Sequence, residues 1–320
     1  MSTAAVQNSH AFAHEALLYA GDDGFVAGLT PFIREGVALG EPVLVVVAAR
    51  KVAMLRDALN GDAAQVHFAD MADVGANPAR IIPAWQDFVD AHLREGRPVR
   101  GVGEPIYPER SPAELVECQR HEALLNVAFA RSHAWQLVCP YDTVALPPEV
   151  IEEALRTHPT VRENGSPRPT AQYYGTDAIA LPFALPLPQA PDDAEQVVFG
   201  LDRLGEARRH VYRRATHFGL GAIRTNDLVL AVNELLSNSV RHGGGSGVLR
   251  IWQDDSVLVC EVGDRGRIAD PLADRTRPDP DRPGGRGLWM ANQLCDLVQV
   301  RAFAEGNVVR VSMRRGPSGR

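Results

Sequence analysis

Within Asn226–Gly243, which reads NDLVLAVNELLSNSVRHG, a carboxylate, an amide and an imidazole recur every four residues: Glu234, Asn238 and His242. On a helix this spacing stacks the three side chains along one stripe. A solvated helix face usually sets Lys or Arg one turn from Glu. Here Glu234 meets Asn238 instead, a pairing that suits a metal ion and a phosphate better than a salt bridge. Two further segments could complete such a site. Gly263-Asp264-Arg265-Gly266 ends an apolar run, and Gly284-Gly285-Arg286-Gly287-Leu288 opens another.

The elements that must position these residues can be read from periodicity. Leu228, Val232, Leu235 and Leu236 form an apolar stripe beside the polar one, with Thr225 or Asn226 as the expected N-cap and Gly243 as the stop. Gln196–Leu201 suits a first strand, and Leu204–Phe218 a helix ended by Gly219. Strands are expected at 248–253 and 257–262, a helix at Gly287–Leu294, and closing strands at Leu297–Phe303 and Val308–Arg314. Helices on one face of a mixed, mostly antiparallel sheet predict an α+β sandwich.

A helix bearing Glu and Asn, an Asp-x-Gly after a strand and a Gly-x-Gly entering a helix, in that order, resemble the nucleotide-binding (Bergerat) fold of GHKL ATPases and histidine kinases. The short form over Asp192 to Arg315 is most similar to the anti-sigma-factor serine/threonine kinases, including regulators of the RsbW and RsbA type. The resemblance implies ATP and Mg2+ as cofactors. It makes Asn238 the magnesium ligand, Asp264 the acceptor for the adenine amino group, and Gly266 the point where backbone approaches the base. Gly285 and Gly287 would turn helix amides toward the phosphates, with Arg286 and Arg282 adding charge. His242, on the stripe, is counted with the nucleotide-contacting residues, and Glu234 becomes the general base toward a serine or threonine hydroxyl. The implied partners are a sigma factor and a STAS-domain anti-anti-sigma protein, and a homodimer is expected on the same ground. Two positions depart from the pattern. Ile268 stands where a further Gly is usual, and Pro283 where these kinases tend to place Arg; both bear more on phosphoryl transfer than on nucleotide binding. A purely binding, non-catalytic module is therefore the alternative reading. An atypical histidine kinase is the third, although no histidine-bearing dimerisation helix precedes the domain.

Composition bounds the rest. The chain has 320 residues, 45% of them apolar and 23% charged, and a net charge of −7. Those values fit two soluble globular domains and argue against direct nucleic-acid binding. No apolar run reaches membrane-spanning length and no secretory signal is visible, so a cytoplasmic protein is expected. Cys118, Cys139, Cys260 and Cys295 are scattered singly and read as reduced thiols. Lys51 is the only lysine.

Residues 14–158 alternate strands and helices. Strands are expected at Leu17–Ala20, Val43–Ala49, Val66–Phe68, Val99–Val102 and Trp135–Cys139, and helices at Val26–Leu39, Val52–Leu59, Pro78–Arg94, Pro112–Ser132 and Leu146–Arg156. This order predicts a parallel α/β sheet. GDDGFVAGLTPF, after the first strand, lacks the Lys-Ser/Thr of a phosphate-binding loop, and its two aspartates would repel phosphate. LLYAGDDGF, GVGEPIYP (101–108), ECQRHEALLN (117–126) and LVCPYD (137–142) resemble the MEDS sensory domain, which implies a RecA/KaiC-like sheet without a nucleotide triphosphatase site. Glu104, His121, Glu122 and Tyr141 are candidates for lining a small-ligand pocket. Cys118 and His121 share a helix but have no further spaced pair to complete a zinc site. The Pro-rich stretch 159–193 is expected to be a linker, and 194–315 the ATP-binding domain.

Overall fold

In the computed structural model the described residues are 12–93, 98–132, 135–163, 166–175, 185–254, 256–278 and 285–315. The chain divides into two compact units, Met1–Pro182 and Phe183–Arg320.

The first unit is built on a seven-stranded sheet. Its strands are β1 (Phe12–Tyr19), β2 (Val43–Val47), β3 (Val66–Asp70), β4 (Val99–Gly103), β5 (Trp135–Asp142), β6 (Thr160–Glu163) and β7 (Ser166–Pro169), in the order β3-β2-β4-β5-β1-β6-β7. All neighbours are parallel except β6 and β7, which form an antiparallel hairpin. That hairpin lies in the stretch expected to be linker. Its short prolyl strands, SPRP in β7, carry none of the apolar alternation from which the other strands were read. The helices are α1 (Gly21–Ala38), α2 (Ala49–Leu59), α3 (Met71–Val74), α4 (Ile81–Leu93), α5 (Pro112–Ala128) and α6 (Pro148–Thr157). β2 reads VLVVV because helices cover both of its faces.

The first helix, expected from Val26, begins five residues earlier, and GDDG is its first turn. Asp22 and Asp23 favour the positive end of the helix dipole, and Arg50 grips Asp22 through two hydrogen bonds of 2.6 and 2.8 Å. α5 begins with a reciprocal cap between Ser111 and Glu114.

The second unit is a five-stranded antiparallel sheet with helices packed on one face. The strands are β8 (Glu195–Gly200), β9 (Ser246–Asp254), β10 (Val257–Asp264), β11 (Leu297–Phe303) and β12 (Gly306–Arg314), ordered β11-β12-β10-β9-β8. The helices are α7 (Leu204–Phe218), α8 (Ala222–His242) and α9 (Arg286–Leu294). Register explains the layering. Cys260 pairs with Ile251 on one side and Val311 on the other, and Val262 with Leu249 and Val309, so the middle of this face is apolar across three strands. Leu228, Val232, Leu235 and Leu236 of α8 pack into that face. The opposite face carries Glu261 between Arg250 and Arg310, at 3.1 and 2.6 Å. α8 starts at Ala222, a turn earlier than expected. Thr225 is buried inside it and donates to the Leu220 carbonyl rather than capping.

Leu236 is fully buried where α8 meets the sheet. Leu236→Ala is expected to cost about 2–5 kcal/mol, from lost transfer free energy plus the cavity left behind. Denaturant unfolding of the full chain should show the loss in the second unit's transition.

Candidate functional site

α8 and α9, the end of β10, the loop that follows it and the start of β12 enclose one cavity of about 500 Å³. Its lining includes every described residue singled out for the nucleotide site: Glu234, Asn238, His242, Asp264, Gly266, Gly285, Arg286 and Gly287. Residues up to 75 positions apart (234 to 309) thus face one space. Arg282, Pro283 and Gly284 lie outside the described residues.

The floor of the cavity is a fixed carboxylate. Asp264 ends β10, its Oδ2 accepting from the Ser239 hydroxyl at 2.6 Å and its Oδ1 from the Gly266 amide at 2.7 Å. Asn307 stands close by, with Nδ2 3.5 Å from Oδ1 of Asp264, while its own Oδ1 accepts from the Ile268 amide at 3.1 Å. The loop after β10 is thereby tied to the start of β12. Three glycines let the backbone close around the aspartate. A Cβ on Gly243 would lie 2.5 Å from Asp264 Cγ, one on Gly266 2.9 Å from Oδ1, and one on Gly306 2.0 Å from the Asp264 carbonyl oxygen.

The opposite wall is the start of α9. Gly285 caps this helix in the left-handed region, φ 73°, where a side chain is disfavoured. The first turn of the helix, Arg286, Gly287 and Leu288, therefore borders the cavity. A Cβ on Gly287 would stand 2.7 Å from Asn238 Nδ2 and 3.4 Å from Glu234 Oε2. The carboxylate, the amide and the helix N-terminus therefore form one continuous surface. Behind α9, buried Asn292 donates to the Asp274 carbonyl at 2.7 Å, and Arg275 to the Asp274 carboxylate at 3.2 Å, anchoring the loop that roofs the site.

Sequence reading does not mark Ser239, Asn307 and Gly306, and it marks Gly243 only as the helix stop, not as a site residue. Ser239 and Gly243 lie within the key helix segment, and their proximity to Asp264 was the missing signal. Asn307 and Gly306 belong to a distant hairpin with no local mark.

In the first unit, Glu104, just past β4, lies buried against Lys51 Nζ at 2.5 Å and the Tyr19 hydroxyl at 2.8 Å. Burial raises its carboxyl, with Lys51 and Tyr19 opposing; burial and Glu104 together push the Tyr19 phenol up. Glu122 belongs to a different cluster, between His14 at 3.1 Å and His158 at 3.4 Å, with Tyr141 edge-on to His158. Burial alone would raise the Glu122 carboxyl, but the two histidines outweigh it and hold it well below the usual range. Burial, then His158, lowers His14 to about 4. Cys118 donates to the Pro105 carbonyl at 3.3 Å, and all four cysteines are buried and free.

Fold and cavity define the class: a two-domain α/β protein whose second domain is an ATPase-type sandwich with helices on one face of an antiparallel sheet. Residues 13–159 match the family described as MEDS, the MEthanogen/methylotroph, DcmR Sensory domain, and residues 199–313 match the histidine kinase-like ATPase domain. The chain therefore carries a MEDS domain followed by a histidine kinase-like ATPase domain. Among solved structures it is similar to "The crystal structure of the RsbU and RsbW domains of Rv1364c from Mycobacterium tuberculosis", at 19% identity over 41% of this chain and 35% of that chain, with a TM-score of 0.32. The match thus spans about a third of that chain's length. No curated protein matches. Among the described residues no helix is long and apolar enough to cross a membrane.

The contacts at Gly243 predict a specific sensitivity. Gly243→Ala would force Cβ against Asp264 Cγ and the Ser239 carbonyl, 2.7 Å away. We expect about 1–3 kcal/mol of destabilisation from overpacking, read as a lowered melting temperature. The Asp264 signals should also shift in an NMR spectrum of the labelled chain.

Proposed function

We propose that the chain is an ATP-binding regulator of the anti-sigma kind. Its second domain transfers phosphate from ATP to a serine or threonine of a STAS-domain anti-anti-sigma partner, and its first domain controls that step. The observation that carries this reading is the meeting of Glu234, Asn238, Asp264, Gly266 and the amides from Gly285 onward on a single cavity of about 500 Å³ in a histidine kinase-like ATPase domain.

The residues present fit a magnesium nucleotide. The glycines at 266 and 287 leave room that a Cβ would fill. Asp264 keeps acceptor capacity on both oxygens beyond the bonds from Ser239 and Gly266. In this reading Asp264 takes the adenine amino hydrogen bond and Gly266 gives the base its backbone approach. The first-turn amides of α9 and the Arg286 guanidinium face the phosphates. His242 adds a further polar group to the wall. Asn238 offers one side-chain oxygen to Mg2+, enough for an ion that keeps several waters. Bound Mg2+ supplies charge neutralisation across the phosphates. Glu234 receives the proton released when a substrate hydroxyl oxygen replaces ADP on the γ-phosphorus.

The first domain, 14–158, is read as a RecA/KaiC-like sensor for a small organic ligand. Its sheet continues through the β6–β7 hairpin to Pro169, so the connector reading is kept for the segment from there to 193, and 194–315 is read as the kinase-type domain. A cytoplasmic location, a sigma-factor partner and a homodimer belong to the same reading. Pro283, in the position where these kinases tend to carry Arg, favours one second reading: nucleotide binding that sets the affinity for a sigma or STAS partner without phosphate transfer.

The test begins with a pull-down by the full chain, with and without ATP and Mg2+, to identify the partner. Transfer of labelled phosphate to that partner is then measured. Glu234→Ala should lower transfer by about 10²–10⁴-fold while calorimetry shows ATP still bound. Undiminished transfer in this variant removes Glu234 from the base role. Tight partner binding with no transfer by the unaltered chain selects the non-catalytic reading.

A further inference from the structure

Four side chains from separate segments meet inside the first unit: His14 of β1, Glu122 of α5, Cys139 of β5 and His158 just beyond α6. Their ligand atoms all lie within 4.8 Å of one another, and none of the four residues is more than 2% exposed. His14 Nε2 is 3.1 Å from Glu122 Oε2, His158 Nε2 is 3.4 Å from the same oxygen, and Cys139 Sγ is 3.4 Å from His14 Nε2.

Hydrogen bonding around the cluster fixes where the ring protons sit. Asn126 Nδ2 donates to the Thr157 carbonyl at 2.8 Å, so its Oδ1, 3.1 Å from His14 Nδ1, can only accept. His14 Nδ1 therefore carries a proton. His158 Nδ1 lies 2.8 Å from the Ala154 carbonyl oxygen, which also can only accept, so it too is protonated. In the neutral rings both Nε2 atoms present lone pairs, and both face a carboxylate oxygen that has no proton to give. Protonating both histidines around one carboxylate would leave a buried net positive charge, which is costly. Protonating one balances the charge but leaves the other Nε2 lone pair against the same carboxylate unless the Cys139 thiol supplies its proton. Glu122 Oε1 and the Tyr141 hydroxyl are also buried without a hydrogen-bond partner among the described residues. Electron pairs from four side chains converge on one buried point.

A cation resolves the conflict. One carboxylate, one thiolate and two neutral imidazoles sum to −2, which a divalent ion cancels, leaving no net charge to bury. A tetrahedral ion with bonds of about 2.0–2.3 Å sets its ligands about 3.3–3.7 Å apart. The three separations of 3.1, 3.4 and 3.4 Å are close to those edges. Mixed nitrogen, sulfur and oxygen donors select zinc-class ions over Mg2+ and Ca2+, which take oxygen. Asn126 and the Ala154 carbonyl orient the two rings in the way outer partners orient metal-bound histidines.

We infer that His14, Glu122, Cys139 and His158 hold one zinc-class divalent metal in a closed four-coordinate site. Four protein ligands leave no open position, so the ion has a structural role, joining β1 and β5 at the middle of the sheet to α5 and the end of α6. Binding displaces one proton, from the Cys139 thiol, to solvent. None of this depends on the nucleotide site.

Tag-free full-length protein from zinc-supplemented growth is analysed for metal content and by X-ray absorption at the metal edge. We expect one metal per chain, with one sulfur neighbour at about 2.3 Å and three nitrogen or oxygen neighbours at about 2.0–2.2 Å. After chelation and Co2+ loading, a thiolate-to-cobalt charge-transfer band should appear, and Cys139→Ser should lose it. Asn126→Ala should weaken Zn2+ binding by about 10–100-fold. A chain folded by circular dichroism that holds no metal, and takes up neither Zn2+ nor Co2+, overturns the site. So does a bound metal with no sulfur neighbour. Should Cys139→Ser fail to fold, the absorption spectrum of the unaltered protein decides alone.

Discussion

A single aspartate, held before any ligand arrives, governs the shape of the second domain's cavity. Asp264 is gripped by Ser239 from α8 and by the Gly266 amide of its own loop. Hydrogen bonds to an ionised group contribute about 1.5–3 kcal/mol each. That is enough to tie the C-terminal end of α8 to the end of β10. The cost falls on neighbouring positions, because three places around the carboxylate tolerate no side chain. Gly243, Gly266 and Gly306 are glycine for reasons of space, and at Gly306, with φ 152°, of conformation as well. The same economy holds across the cavity, where Gly287 lets α9 lie against Asn238 and Glu234.

How far this was legible from sequence follows from the range of each signal. The α8 stripe was readable because helical spacing is local: Glu234, Asn238 and His242 share a face whatever surrounds them. Asp264 and the glycines at 285 and 287 were readable as punctuation at the end of a strand and the start of a helix. Ser239 was invisible as a site residue because an interior helical serine reads as filler until its partner, 25 positions on, is known. Asn307 and the Asp274–Arg275–Asn292 anchor depend on contacts between hairpin, loop and helix that no local period encodes. The start of α8 was misjudged because Thr225 has the chemistry of a cap. The buried end of the α7–α8 turn uses its hydroxyl otherwise.

In the first unit, residue type was legible and grouping was not. Glu104, Glu122 and Tyr141 were expected to share a pocket lining, yet Glu104 belongs with Lys51 and Tyr19, and Glu122 with two histidines. The order β3-β2-β4-β5-β1-β6-β7 explains the division. His14 and Cys139 lie on adjacent parallel strands, while Glu122 and His158 reach them from α5 and from the chain beyond α6. A cluster assembled from positions 14, 122, 139 and 158 has no short spacing of the kind by which metal sites are found in sequences. The β6–β7 hairpin was missed for a related reason. An edge pair supported by β1 does not need apolar alternation of its own.

The distribution of positive charge bears on what the ATPase-type cavity can do. The chain's one lysine is committed in the first unit, where Lys51 is bound to Glu104 and Tyr19. The permanent side-chain cations that line the second unit's cavity are therefore arginines, Arg241, Arg267 and Arg286. Arginine is not a neutral replacement there. Its planar fork binds two phosphate oxygens at fixed geometry, whereas an ammonium acts as a point charge that follows the ligand. The α9 amides are equally fixed, because the left-handed Gly285 sets the direction of the first turn. An anion entering this cavity meets donors whose directions are already chosen. Such a site discriminates by the position of charge more than by its amount.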